Sequence, residues 1–331
     1  MYKYLPPRQN LILKRYKHNG FKSIIDKLKL FGPRDILNIS AEIPEDSYFP
    51  NEILNSNSYY GHSSIIKDFC GLDENYILKL SIQHGMYFGK TFFEPEAKTF
   101  KNYLVWGDSV KSNLKQVIDN KMTTIGSPFF YSKNFLTNTQ IKKEKNRLGK
   151  NILVFPAHST HNSELKFDID EFISSILQKY ATTYKIRVCL YWKDCTQENL
   201  SIYEKYGIEC VTAGHIFDPM FYPRLKSLLE VSDVTASNDI GSFLGYSIYM
   251  KKPHQIFKSK LSVLGDVGGF RSKVYNEFRQ DVNYNKLYQL LSECDLEISK
   301  EIYDICDKYF GFSNIKSSNV LKKIILDCES N

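Results

Sequence analysis

Residues 231–253 read VSDVTASNDIGSFLGYSIYMKKP, and this order decides the fold. Asp233-Val234-Thr235-Ala236 is a short strand, Ser237 to Gly241 are small or polar, and Gly241 to Met250 carry the apolar spacing of a helix. Lys251-Lys252-Pro253 then leads into a second strand, His254-Gln255-Ile256-Phe257. A strand that turns through small residues into a helix and on to another strand is a unit of a parallel sheet. The turn sits at the carboxyl end of its strand, where open α/β sheets bind ligands. Backbone N–H groups, the positive end of the helix dipole and the hydroxyls of Ser237 and Ser242 converge there, a combination suited to a pyrophosphate. Asn238 and Gly241 complete this cradle.

The same rhythm extends upstream. Strands are expected at 151–156, 185–192 and 208–211, with helices at 168–180, 196–206 and 219–230 between and after them; two more helices, 284–292 and 297–310, close the chain. The first half carries apolar runs at 35–39, 76–82, 101–106 and 122–125, with a helix at 109–120 that Asp108 or Ser109 can cap. A polar stretch, 133–150, is nearly free of large apolar residues and reads as a linker. The expectation is two α/β domains, 1–140 and 150–331, in agreement with 331 residues at about 150 per domain.

Composition excludes several classes. Hydrophobic residues at 42% and charged residues at 24% are those of a globular protein. The seven cysteines are scattered, with no CxxC pair, which favours a reduced, cytoplasmic chain without structural zinc. No apolar run approaches the roughly 18 residues of a spanning helix, and the first residues lack the apolar core of a signal peptide. A net charge of +7 favours phosphorylated ligands or anionic lipid headgroups. The basic cluster at 142–147 has none of the interleaved aromatics of a nucleic-acid platform, so nucleic acid is not an expected partner.

The segment 231–253 resembles the donor-binding element of GT-B glycosyltransferases, in which a Ser-Asp strand is followed by a Ser/Gly turn, a helix and a Gly-Lys-Pro-like strand entry. The resemblance implies two Rossmann-like domains with parallel sheets facing a central cleft, the acceptor held by the first and a nucleotide sugar by the second. It covers most of the second half and short pieces of the first. It implies phosphate contact by His158, Ser159 and Thr160, which follow the strand at 151–156. The alternative for that loop is that His158 and His161 cap the turn after it. It also places the nucleotide base against Gly214, His215 and Ile216, although a strand-Gly-helix turn is equally ordinary punctuation.

In the first half, Ser81-Ile82-Gln83-His84-Gly85 ends an apolar run on a His-Gly pair, which resembles the acceptor domain of wall-polymer transferases. A histidine of near-neutral pKa can take the proton of an acceptor hydroxyl as it attacks the anomeric carbon, so His84 is the candidate base of an inverting transferase. The bland alternative is a histidine bonded to backbone at a strand end. Gly85, Tyr60 and His62 are candidate acceptor contacts, and Trp106 reads as core. The Glu-x7-Glu signature of many retaining relatives is missing, since 242–253 contains no acidic residue. No cofactor and no metal are expected, and Asp168-Ile169-Asp170 reads as a helix start rather than a metal motif.

The resulting expectation is transfer of a sugar to a hydroxyl of a bacterial surface glycan, free or lipid-linked, at the inner face of the cytoplasmic membrane. An epimerase or a polyol-phosphate transferase of the same fold would use the same cradle, although epimerases carry acidic residues in the cleft motifs that are absent here. A noncatalytic partner in a polysaccharide-assembly complex would keep the fold without turnover.

Overall fold

A computed structural model of the protein describes residues 52–160, 163–266, 269–293 and 296–328. The expected strand at 35–39 lies outside them. In chain order the elements are α1 (His62–Cys70), β1 (Ser81–Ile82), α2 (Glu94–Thr99), β2 (Asn102–Val105), α3 (Asp108–Leu114), β3 (Lys121–Thr124) and α4 (Asn138–Leu148). The second half holds β4 (Asn151–Phe155), β5 (Glu164–Lys166), α5 (Ile169–Tyr180), β6 (Lys185–Cys189), α6 (Gln197–Lys205), β7 (Glu209–Val211), α7 (Phe221–Val231), β8 (Val234–Ser237), α8 (Ser242–Tyr249) and β9 (His254–Ile256). The chain ends through β10 (Ser262–Leu264), α9 (Phe270–Gln280), α10 (Val282–Glu293), α11 (Lys300–Phe310) and α12 (Ser318–Asp327).

Two parallel sheets form, as the alternating pattern requires. The first has the order β1-β2-β3, and the second the order β7-β6-β4-β8-β9. In the second sheet the chain builds outward from β4 to β7, returns to the other side of β4, and builds outward again. That reversal between β4 and β8 is the switch point at which doubly wound sheets open a crevice. Every residue of β4 and β8 is buried, which is why both read as unbroken apolar or small-residue runs.

Helix starts follow the expected chemistry. Asp168 Oδ1 accepts from the Glu171 N–H at 2.8 Å and so caps α5. Thr196 Oγ1 accepts from the Asn199 N–H at 3.2 Å and caps α6.

Three elements differ from the expectation. The run at 76–82 pairs only through Ser81 and Ile82. Upstream of that pair, the Glu52 carboxylate accepts the Leu78 N–H at 3.0 Å, and the Asn57 side chain accepts from the Ile82 N–H and donates to the Leu80 carbonyl, doing the work of a neighbouring strand. The presumed linker contains α4, started by a reciprocal cap between Thr137 and Gln140 and packed through Ile141 and Leu148 on Val231. Finally, the crossing back expected of the last helix involves two: α11 packs on α3 of the first unit as well as on α8 and α10 of the second, and α12 packs on α1. The Ser127 N–H donates to the Phe310 carbonyl at 3.1 Å, and Phe310 stacks on Trp106 at 5.9 Å. Buried residues of 302–325 share one apolar cluster with residues of both units. Among the described residues, no helix is long and apolar enough to cross a membrane.

Candidate functional site

At the switch point, the loops after β4 and β8 are tied together by one side chain. Asn238, only 1% exposed, accepts the Ala157 N–H on Oδ1 at 2.7 Å, and its Nδ2 is buried without a partner. Gly241 precedes α8 in an extended conformation with no side chain capping the helix, and Ser242 in its first turn is partly exposed.

The neighbouring hydroxyl points inward instead. Ser237 is fully buried, donates to the Asp239 carbonyl at 2.6 Å and lies 2.9 Å from His254 Nε2, while Thr235 Oγ1 lies 2.8 Å from Nδ1. Because Ser237 commits its proton to Asp239, it accepts from the ring at Nε2. Burial drives this ring's pKa down to about 3. The Ser237 hydroxyl, expected to contact phosphate, is here bonded within the turn.

His158, Ser159 and Thr160 follow β4 at the carboxyl edge of the sheet, with their backbone already organised. The Asp194 carboxylate accepts the Ser159 N–H at 3.1 Å, Ser159 Oγ accepts from the Leu165 N–H, and Thr160 pairs with Ser163 through backbone and hydroxyl. His158 Nδ1 lies 2.9 Å from the Ser159 carbonyl and its ring packs 4.2 Å from Tyr191. Burial, and after it the charge of Arg271, lowers its pKa. A cavity of about 760 Å³ opens beside this loop, between the carboxyl ends of β4 and β6 and the antiparallel β5–β10 ribbon. His161 lies outside the described residues.

Gly214, His215 and Ile216, whose backbone groups were expected to read the edge of a base, are buried. Gly214 has φ +112°, and a Cβ there would stand 2.5 Å from Arg224 Nη1 and 2.7 Å from Asp218 Oδ2, so the glycine is required by a buried ion pair. His215 packs on Trp192 at 4.1 Å, and the Ile216 carbonyl accepts the Tyr60 N–H at 2.5 Å.

In the first unit, Gln83 turns the chain out of β1. Its Oε1 accepts the Trp106 N–H, its carbonyl accepts the indole N–H, and its Nε2 donates to the Gly85 carbonyl. This delivers His84 to the carboxyl edge of the sheet. Its Nδ1 lies 2.6 Å from Glu96 Oε1, the histidine side chain being 24% exposed and the glutamate fully buried. The other Glu96 oxygen accepts from Tyr87 and Tyr103 hydroxyls. Glu96 is the residue that sequence reading missed, because twelve positions separate it from His84 with no local motif linking them.

An aromatic floor joins this edge to the crevice. Tyr59 contacts the rings of His84 and Phe217, both at 5.3 Å, while the Tyr60 and Tyr191 hydroxyls stand 3.4 Å apart beside His158. His62 is not placed to meet an acceptor: it is fully buried, its Nε2 lies 3.0 Å from the Tyr222 hydroxyl, and burial holds its pKa well below the ordinary value. Trp106 is core, as expected. Among the described residues, no cluster of three or more His, Cys, Asp or Glu side chains is arranged to hold a metal ion.

No protein-family model and no curated protein sequence matches the chain. Among solved structures, it is similar to the wall teichoic acid polymerase TagF, at 14% identity over 78% of this chain and 70% of that one, with a TM-score of 0.46. A TagF structure soaked with CDPG gives 14%, 78%, 69% and 0.44. UGT71G1 of Medicago truncatula in complex with UDP-glucose gives 11%, 71%, 50% and 0.31. Superpositions this loose do not support transfer of residue roles.

Proposed function

We propose that the chain is a glycosyltransferase of the GT-B type that moves a sugar from a nucleotide donor to an acceptor hydroxyl with inversion. The observation that carries this reading is the His84–Glu96 pair at the carboxyl edge of one parallel sheet, joined by an aromatic floor to the switch-point crevice of another. A buried carboxylate on Nδ1 fixes the tautomer with its hydrogen on that nitrogen, leaving the Nε2 lone pair to accept a proton.

In the proposed step, the acceptor oxygen bonds to the anomeric carbon, its proton passes to His84 Nε2, and the bond from that carbon to the donor phosphate breaks. Charge on the departing phosphate meets the N-terminus of α8, Ser242 and the loop of His158, Ser159 and Thr160, so the leaving group needs no metal or other cofactor in this reading. Gly85 and Tyr60 border the acceptor side. The acceptor as a bacterial surface glycan rests on the sequence resemblance, and the net charge of +7 suits work beside anionic headgroups of the cytoplasmic membrane's inner face.

The test is a panel of UDP, CDP, GDP, ADP and dTDP scored by melting temperature, followed by turnover of the matching nucleotide sugar. A ligand that binds only the folded state must raise the melting point. His84→Ala is expected to keep that rise and lose turnover. No rise with any nucleotide, or full turnover in His84→Ala, would refute the reading.

A further inference from the structure

Helix α9 contacts the loops after β4 and β8 and the segment that follows His84, although nothing in its sequence marks it. Arg271, at its start, donates to the His158 carbonyl at 2.6 Å and to Ser163 Oγ at 3.2 Å, and it lies over the Tyr275 ring. One turn on, the Tyr275 hydroxyl donates to Asp239 Oδ2 at 2.7 Å, in the loop between β8 and α8. Two residues further, Glu277 Oε2 accepts the N–H groups of Lys90 and Thr91 at 2.8 and 2.6 Å, in the segment that leaves His84. Gly89 is required by this approach, with φ +85° and space for a Cβ only 2.9 Å from Glu277 Oε2.

Packing reinforces the link. Phe88, fully buried, meets Phe278 of α9 at 5.4 Å and Tyr284 of α10 at 5.3 Å, and the Tyr284 hydroxyl donates to Asp239 Oδ1 at 3.1 Å. Residues 271, 275 and 278 share one face of the helix, so a displacement at one end is carried rigidly to the other.

The charge on Arg271 lacks a direct counter-charge. Among the described residues, no carboxylate lies in ion-pair reach of it. Asp239 and Asp266 act on it from further away, with oxygens bonded to Tyr275, Tyr284 and Ile240 in the first case and to the Arg271 and Ser272 N–H groups in the second. Its hydrogen-bond acceptors are a carbonyl and hydroxyls, which leaves the planar fork without a counter-charge beside the loop of His158.

We propose that α9 couples the two halves of the site: Arg271 binds the diphosphate of the nucleotide donor, and Glu277 holds the segment carrying His84 so that this segment tightens when the donor arrives. The inference rests on the nucleotide-sugar reading above. A phosphate brought to Arg271 supplies the missing counter-charge, and paired N–H···O bonds to it are among the stronger polar contacts a protein makes. The helix then passes the gain in order to Lys90 and Thr91, which makes donor binding favour a competent base.

The experiment titrates the full chain with the five nucleoside diphosphates and follows amide hydrogen exchange across residues 84–93. In the wild type, the diphosphate that binds is expected to slow exchange there. Arg271→Ala should weaken its affinity about 10- to 100-fold, the loss of one hydrogen-bonded charge contact. Arg271→Lys, which keeps the charge without the fork, should fall between them and controls for folding. Glu277→Ala should bind the diphosphate within about threefold of wild type yet lose the slowed exchange. Wild-type affinity in Arg271→Ala, or unaltered slowing in Glu277→Ala, would overturn the coupling while leaving the transferase reading standing. A wild type that binds none of the five would refute that reading and the coupling with it.

Discussion

The Nδ1 of His84 stands 2.6 Å from Oε1 of Glu96, a carboxylate with no exposed surface. An ionised carboxylate in that position fixes the ring orientation and stabilises the imidazolium that forms when Nε2 takes a proton. Glu96→Gln keeps the size but removes the charge, and its amide can present a donor to Nδ1, favouring the wrong tautomer. Turnover is expected to fall by about two to four orders of magnitude, the range that a positioned base contributes. Nucleotide affinity should stay within about threefold, a change worth well under 1 kcal/mol. Parallel measurement of kcat and nucleotide Kd decides the point: equal losses in both would make Glu96 a scaffold residue only.

The Asn238 amide joins the two crevice loops by accepting the Ala157 N–H. Asn238→Ala leaves that donor buried without a partner, at a cost of about 1–3 kcal/mol in stability. In the proposed function the loops it held also shape the phosphate cradle, so nucleotide affinity should fall as well. Urea unfolding and nucleotide titration of the same variant test both effects, and undiminished affinity would separate the tie from the cradle.

The second unit was legible in sequence because its central strands are buried on both faces, leaving runs such as Ile152-Leu153-Val154-Phe155 that nothing else explains. The first was legible only in part. Leu78 and Leu80 are buried, but outside a strand, since Glu52 and Asn57 side chains satisfy backbone groups that a neighbouring strand would otherwise pair. Helices α4 and α9 escaped because each buries so few apolar side chains, Ile141 and Leu148 in one and Phe278 in the other, that no stripe appears. At the site, sequence placed His84, His158 and Ser242 at strand and helix ends. It could not find Glu96 or Arg271, whose positions depend on contacts between residues remote in the chain. It also could not tell the partly exposed Ser242 from the buried Ser237, because burial of a hydroxyl depends on what packs over it.

The return of the chain to the first unit rests on Phe310, fully buried between Trp106 and Tyr246. Phe310→Ala removes a large side chain from a well-packed core, and a loss of about 3–5 kcal/mol is expected. Chemical unfolding followed by tryptophan emission reports it directly, because Trp106 is one of two tryptophans and lies against the cavity so formed. A loss under about 1 kcal/mol, the scale of an exposed position, would place α11 outside the core.

His254 sets a pH dependence that can be signed. Its ring is buried between Thr235 and Ser237, and burial lowers its pKa to about 3. The unfolded chain takes up this proton below the ordinary value of about 6.5, whereas the folded chain refuses it until about pH 3. Unfolding therefore gains a proton throughout that window, and stability falls as pH is lowered, by up to about 1.4 kcal/mol per pH unit from this group. His62, also buried and lowered, acts in the same direction. Asp239, whose carboxyl is raised by burial, acts in the opposite one. Comparing urea midpoints at about pH 7.5 and about pH 5.5 keeps most carboxylates ionised and isolates the histidines. Wild type should lose stability across that interval, and His254→Asn, which retains polar partners for Thr235 and Ser237 without a titrating ring, should lose less. Equal losses in the two proteins would assign the dependence elsewhere and show that the buried ring beneath the cradle is not its source.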